Sequence, residues 1–172
     1  MPPSTPGIKP KLIDACVLID FIKADRGILK LISRYIGPLY MLSAVLDEVK
    51  DIETLTELSE LDLIVIEPEL EDVFAASMEP GSISFQDKLC LLTAMRQGYI
   101  CVTNDRELRK QCEKNNVEPL WGLELLIRLH KAGGVQTEKA IKLARDIHLN
   151  NPKHITGEIL KRFIDIIEKQ KI

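Results

Sequence analysis

Two hydrophobic periods alternate along this chain. Short apolar runs closed by turn residues or acids predict strands at Lys11–Asp14, Leu39–Leu42, Leu63–Ile66, Ile100–Val102 and Val117–Leu120. Between them, apolar residues at helical spacing predict helices at Val17–Lys23, at Ile28–Ile36 with Asp25 as cap, and at Glu69–Ser77 and Arg106–Asn115. Ser43 is expected to cap a helix carrying Val45, Leu46, Val49 and Ile52 on one face and continuing through Glu53–Leu61. The sharpest local signal is Ser84–Gly98. Ser84 caps, Asp87 lies in the first turn where the positive end of the helix dipole favours a carboxylate, and Gly98 stops the helix. After Trp121 the pattern is helical only: Gly122–Ala132, a helix capped by Thr137 and running to Leu149, a break at Asn150-Asn151-Pro152, and a last helix capped by Thr156.

Strands alternating with helices predict βαβ units, hence an α/β protein of three layers, α/β/α, with a central parallel sheet and additional C-terminal helices. Three regions follow: an irregular lead over residues 1–10, rich in Pro, an α/β domain over 11–120, and a helical extension over 121–172 packed on the same domain.

Composition narrows the classes. The chain has 172 residues, enough for one self-sufficient core, and 45% hydrophobic and 28% charged residues, ordinary for a globular domain. A net charge of −3 argues against a nucleic-acid-coating protein but allows a local basic face. Cys16, Cys90, Cys101 and Cys112 show no Cys-x-x-Cys pairing and read as reduced cysteines of a cytoplasmic protein. The start shows no secretory signal, and no apolar run is long enough to span a bilayer.

Four acids hold the candidate chemistry. Asp14 ends the first strand, Glu48 lies early in the helix after the second, Asp87 opens the central helix, and Asp105 follows the fourth strand. In a parallel sheet they come to one edge, where open α/β sheets bind ligands. Two unit charges ~4 Å apart repel by roughly 4 kcal/mol at an effective dielectric of ~20. Oxygen-only ligands then point to Mg²⁺ or Mn²⁺ and to phosphodiester hydrolysis. The alternative is that strand-end Asp residues cap the next helix and pair with Lys88, Arg106 and Arg109.

Four segments carry a family resemblance: Lys11-Leu-Ile-Asp14-Ala-Cys-Val-Leu-Ile-Asp-Phe, Leu42-Ser-Ala-Val-Leu-Asp-Glu48-Val, Ser84-Phe-Gln-Asp87-Lys-Leu-Cys-Leu-Leu-Thr-Ala, and Ile100-Cys-Val-Thr-Asn-Asp105-Arg-Glu-Leu-Arg. Over residues 11–120 the chain resembles the PIN domain family, the VapC-like toxin ribonucleases, in a longer subgroup with a C-terminal helical tail. The resemblance implies a PIN-like fold and a metal-dependent endoribonuclease of single-stranded RNA, the toxin of a type II toxin–antitoxin pair. It makes Asp14, Glu48, Asp87 and Asp105 the catalytic, metal-holding acids for Mg²⁺ or Mn²⁺. Thr103 and Asn104 would orient ligands or phosphate. It implies an antitoxin protein as partner and a homodimer. Cys16 departs from the family, which usually has Ser, Thr or Asn there, and a non-catalytic PIN-fold module binding RNA or protein is the alternative.

Smaller signals complete the expectation. Asp47 competes with Glu48, which the resemblance favours; Asp20 reads as an exposed helical acid. His130, His148 and His154 share no metal spacing and read as surface or helix-end residues. Lys11, Lys88, Arg106, Arg109 and Lys110 flank the acids and could touch phosphates, and Phe85 and Tyr99 are read as near the site.

Overall fold

The computed structural model describes residues 8–50, 52, 54–78 and 80–170. Most of the expected N-terminal lead and the start of the helix at Glu53 lie outside the described residues. The strands are β1 (Lys11–Ile13), β2 (Leu39–Leu42), β3 (Leu63–Ile66), β4 (Ile100–Val102) and β5 (Pro119–Leu120). All neighbours pair in parallel, in the order β3-β2-β1-β4-β5. β1, β2 and β4 are buried at every position, as strands covered on both faces should be.

Ten helices surround the sheet among the described residues. After β1 come α1 (Ala15–Asp25) and α2 (Gly27–Ile36); α3 (Ser43–Leu46) and α4 (Leu55–Glu60) join β2 to β3. α5 (Leu70–Met78) and α6 (Phe85–Gln97) join β3 to β4, and α7 (Arg106–Lys114) joins β4 to β5. The chain ends in α8 (Gly122–Lys131), α9 (Thr137–Asn150) and α10 (Gly157–Lys169). α5, α6 and α7 pack together, while α8 packs on α2, α9 on α1, and α10 on α8 and α9. Right-handed crossovers place these two sets on opposite faces of the sheet, because the chain steps one way from β1 to β3 and the other way from β3 to β5. The result is the three-layer α/β/α architecture with a central parallel sheet, and the C-terminal helices thicken the α1–α2 layer. No helix among the described residues is long and apolar enough to cross a membrane.

Local chemistry explains the best-defined helix. The Ser84 side chain accepts the Asp87 N–H and Asp87 accepts the Ser84 N–H, a capping box, and Gly98 closes α6 at φ 68°. The expected helix over Val45–Ile52 is instead the single turn α3. The Ser43 hydroxyl does not cap; it donates to Glu67 at 2.6 Å, and the chain leaves through tight bonds from Glu48 N–H to Val45 and Val49 N–H to Leu46. β-Branched Val45 and Val49 favour helix weakly and are buried all the same. Thr137 likewise does not cap α9. It is the first helical residue, and its hydroxyl meets His130 Nε2 at 3.0 Å.

One cooperative core is the consequence of this packing, since Phe163 and Ile167 of α10 are buried with the sheet residues. Phe163→Ala is expected to cost about 3–5 kcal/mol and to lower one shared thermal transition at about 2–4 °C per kcal/mol. Calorimetry showing a separate, unshifted transition for the α/β portion would contradict this.

Candidate metal and phosphate site

The chain reverses direction around β1 and β4, which makes the crevice beyond their carboxyl ends the sheet's switch point. β1 delivers Asp14 there, 7% exposed, with its N–H bonded to the Val102 carbonyl at 3.0 Å. β4 delivers Thr103, Asn104 and Asp105 to the same end. The Thr103 hydroxyl donates to Asp14 Oδ2 at 2.7 Å and accepts the Asp105 N–H at 3.0 Å, so one buried hydroxyl ties both acids. The Cys16 thiol also donates to Asp14 Oδ2, at 3.0 Å. Burial, then the charge of Asp14, raises the Cys16 thiol well above its ordinary range, so it serves as a neutral donor where a hydroxyl or amide was expected.

The remaining acids approach from the flanks. Asp105 caps α7, with Oδ1 accepting the Leu108 N–H at 2.8 Å. Asp87 sits in the capping box of α6. Burial, and after it the charge of Asp14, raises its carboxyl; Asp105 adds to this, against the lowering bonds from Ser84. Glu48 lies in the turn after α3. It is exposed as a residue, yet desolvation of its carboxyl, followed by the charges of Asp14 and Asp87, raises it too.

None of these four acids forms an ion pair with Lys or Arg among the described residues. Arg109 instead stacks over Trp121, 4.1 Å from the ring centroid, and Lys110 pairs with Glu107. Lys11 is at the amino end of β1, away from the acids, where its buried Nζ donates to the Ile36 and Lys9 carbonyls. Tyr99 too precedes β4 at that amino end and packs on Tyr40, with ring centroids 5.3 Å apart. Phe85, half-exposed two residues before Asp87, is the aromatic that remains beside the site.

The donor set suits a hard divalent cation: carboxylate oxygens, unpaired with basic groups among the described residues, two of them raised by burial and then by neighbouring charge. No three His, Cys, Asp or Glu side chains among the described residues already stand as a cage for one ion.

Two residues depart from expectation. Asp20 is 4% exposed within α1, where it accepts Asn104 Nδ2 at 2.9 Å and Asn151 Nδ2 at 3.2 Å on each oxygen. Asn104 therefore turns away from the acids. Its Oδ1 accepts the Gly122 N–H at 3.0 Å. The signal for Asp20 was present: it is the sole acid between Ala15 and Phe21 in a helix buried on nearly every side. His130 and His148 lie in the last turns of α8 and α9, as helix-end residues.

The structure is thus a three-layer α/β/α protein with an all-parallel sheet of order β3-β2-β1-β4-β5 and acids at its switch point. No protein-family model matches the chain, and no curated protein matches it. Among solved structures, the chain is similar to a PilT N-terminus domain protein from the hyperthermophilic archaeon Sulfolobus solfataricus P2. The identity is 13%, covering 72% of this chain and 92% of that chain, with a TM-score of 0.49.

The electrostatics give a signed stability test. A carboxyl raised in the folded state makes metal-free protein less stable as pH rises from the ordinary carboxylate range through the raised value. Asp87→Asn is therefore expected to raise the melting temperature of metal-free protein at pH 7 by about 1–4 °C, with the gain shrinking toward pH 4. Millimolar Mn²⁺ is expected to stabilise wild type and not the variant. Scanning fluorimetry in which Asp87→Asn lowers stability at both pH values contradicts the repulsion.

Proposed function

We propose that this chain is a metal-dependent endoribonuclease hydrolysing phosphodiester bonds of single-stranded RNA, with Asp14, Glu48, Asp87 and Asp105 holding Mg²⁺ or Mn²⁺. The observation supporting this reading is that Asp14 and Asp105, tied together by the Thr103 hydroxyl, emerge at the switch point, where burial and then the charge of Asp14 raise the Asp87 and Glu48 carboxyls. When bound, a divalent ion offsets phosphate charge and lowers the pKa of water toward neutrality.

The chain's own residues prepare the ground. Asp14 is held through Oδ2 by Thr103 and Cys16, and Asp105 through Oδ1 by the Leu108 N–H, which fixes both side chains before substrate arrives. The amino ends of α6 and α7 direct positive dipole ends toward the same edge, where a phosphate is favoured. Exposed Arg106, at the start of α7, is the cation placed to meet the RNA backbone. Water attack in line at phosphorus breaks the bond to the 3′ oxygen, which takes a proton, leaving a 5′-phosphate and a 3′-hydroxyl.

The second reading, a non-catalytic RNA- or protein-binding module, is favoured by Cys16, a thiol rather than a hydroxyl or amide beside Asp14. Activity separates the readings. Purified protein with Mn²⁺ is expected to cut single-stranded RNA, and Asp14→Asn to reduce the rate by about a thousandfold, as loss of an essential ligand does, with unchanged circular dichroism. RNA binding without cleavage by wild type supports the module instead, and equal metal-independent degradation by both proteins contradicts the nuclease.

The toxin role, with an antitoxin partner and a homodimer, is part of the same reading. A second copy fits α5, whose outward face is apolar: Leu70, Phe74 and Met78 are 81%, 66% and 67% exposed at i, i+4 and i+8. Antiparallel pairing of two such faces sets Leu70 against Met78 of the other copy and Phe74 against its own counterpart. Arg96 pairs with Asp72 at 2.7 Å and with Glu71 at 3.7 Å, so its one positive charge offsets part of the acidic charge flanking the contact. Sedimentation equilibrium is expected to give a dimer for wild type and a folded monomer for Phe74→Glu. A monomeric wild type, or a variant that stays dimeric, contradicts the assignment.

A further inference from the structure

The C-terminal helices do more than thicken a layer. Asp20, Asn104, Gly122 and Asn151 come from α1, the end of β4, the start of α8 and the end of α9, and they form one buried polar network. Among the described residues Asp20 forms no ion pair, and the hydrogen bonds to its carboxylate come from neutral amide donors. Burial pushes this carboxyl up, and the bonds from Asn151 and Asn104 oppose that shift. Asn104 is committed at both ends of its amide, to Asp20 and to the Gly122 N–H. Gly122 permits this approach: a Cβ there would meet Val17 at 3.0 Å and Asn104 Oδ1 at 3.2 Å. Asn151 is itself fixed, its N–H bonded to Ile147 at 2.9 Å and its carbonyl accepting Ile155 N–H at 3.0 Å.

Asn104 is flanked by the two residues that organise the acids. Thr103 turns its hydroxyl to Asp14, and Asp105 donates its N–H to that hydroxyl. Holding the Asn104 amide on one side of the strand end therefore fixes the direction of Thr103 on the other, since neighbouring side chains in extended backbone point oppositely. We propose that Asn151, through Asp20 and Asn104, is a positioning residue for the acidic crevice, so that the helical extension sets the geometry of Asp14 and Asp105. The inference rests on the nuclease reading for its kinetic consequence, while its geometric consequence stands independently.

The test compares Asn151→Ala with Leu143→Ala, a buried apolar truncation in α9 about two turns before Asn151 whose side chain makes none of the network's hydrogen bonds. Three readouts apply: Mn²⁺ affinity by electron paramagnetic resonance, cleavage kinetics, and amide exchange by NMR. Asn151→Ala is expected to weaken Mn²⁺ binding and lower kcat about tenfold, the usual scale for losing a residue behind a ligand, with KM unchanged. It is also expected to speed exchange of the Asp105 N–H about tenfold relative to the Cys101 N–H within β4, an effect on the scale of losing one buried hydrogen bond. Leu143→Ala is expected to lose stability but keep both Mn²⁺ affinity and the Asp105-to-Cys101 exchange ratio. Equal effects of the two variants, or no change in that ratio for Asn151→Ala, overturn the positioning role. A wild type that binds no Mn²⁺ and cuts no RNA overturns the nuclease reading, and the exchange ratio then still decides the role of Asn151.

Discussion

Pairing of β1 with β4 is the constraint on which the other features depend. Lys11, Leu12 and Ile13 align with Ile100, Cys101 and Val102, and the Asp14 N–H extends the ladder to Val102. That register brings Asp14 and Thr103 out of the sheet side by side. Because the chain runs from β1 toward one edge and from β4 toward the other, no connection crosses the crevice between them. The acids are thus gathered by topology, from segments that share no local sequence signal.

Gathering them has a cost that the fold meets in two ways. Where a carboxylate can be tied down, it is: Asp14 by Thr103 and Cys16, Asp105 and Asp87 by helix N-termini. Helix-end N–H groups lack intrahelical partners, so these bonds satisfy donor and acceptor together. Where it cannot, as at Glu48, the group stays exposed and its carboxyl is raised. The same logic separates Asp20 from the cluster. It is buried among amides on the other side of the strand end and contributes to the frame, whereas Asp72 is stabilised by a two-pronged pair with Arg96.

Elements whose signal is local were legible in the sequence. The runs Leu39–Leu42, Leu63–Ile66 and Ile100–Val102 are strands with those bounds, and Ser84 and Gly98 bound α6. Misreadings arose where a tertiary contact overrode a local pattern. Ser43 looked like a cap until Glu67 claimed its hydroxyl, and Thr137 until His130 did. Lys11 and Tyr99 are close in sequence to site residues but belong to the amino ends of their strands, because three residues of strand carry the chain roughly 10 Å along the sheet. Asp20 reads as solvated from the sequence because an isolated acid on a helix usually is. Its partners, Asn104 and Asn151, lie too far along the chain for periodicity to reveal. The order of the four acids was readable; their mutual influence was not, because it exists only after the sheet has formed.

The claim that those acids share one electrostatic environment is tested most directly by carboxyl-carbon NMR titration of the full chain with and without Mg²⁺. The account expects Glu48 and Asp87 to titrate above the ordinary carboxylate range in metal-free protein, and to move downward together when Mg²⁺ is added. Independent titration of the two at ordinary values, with neither moved by Mg²⁺, would contradict it.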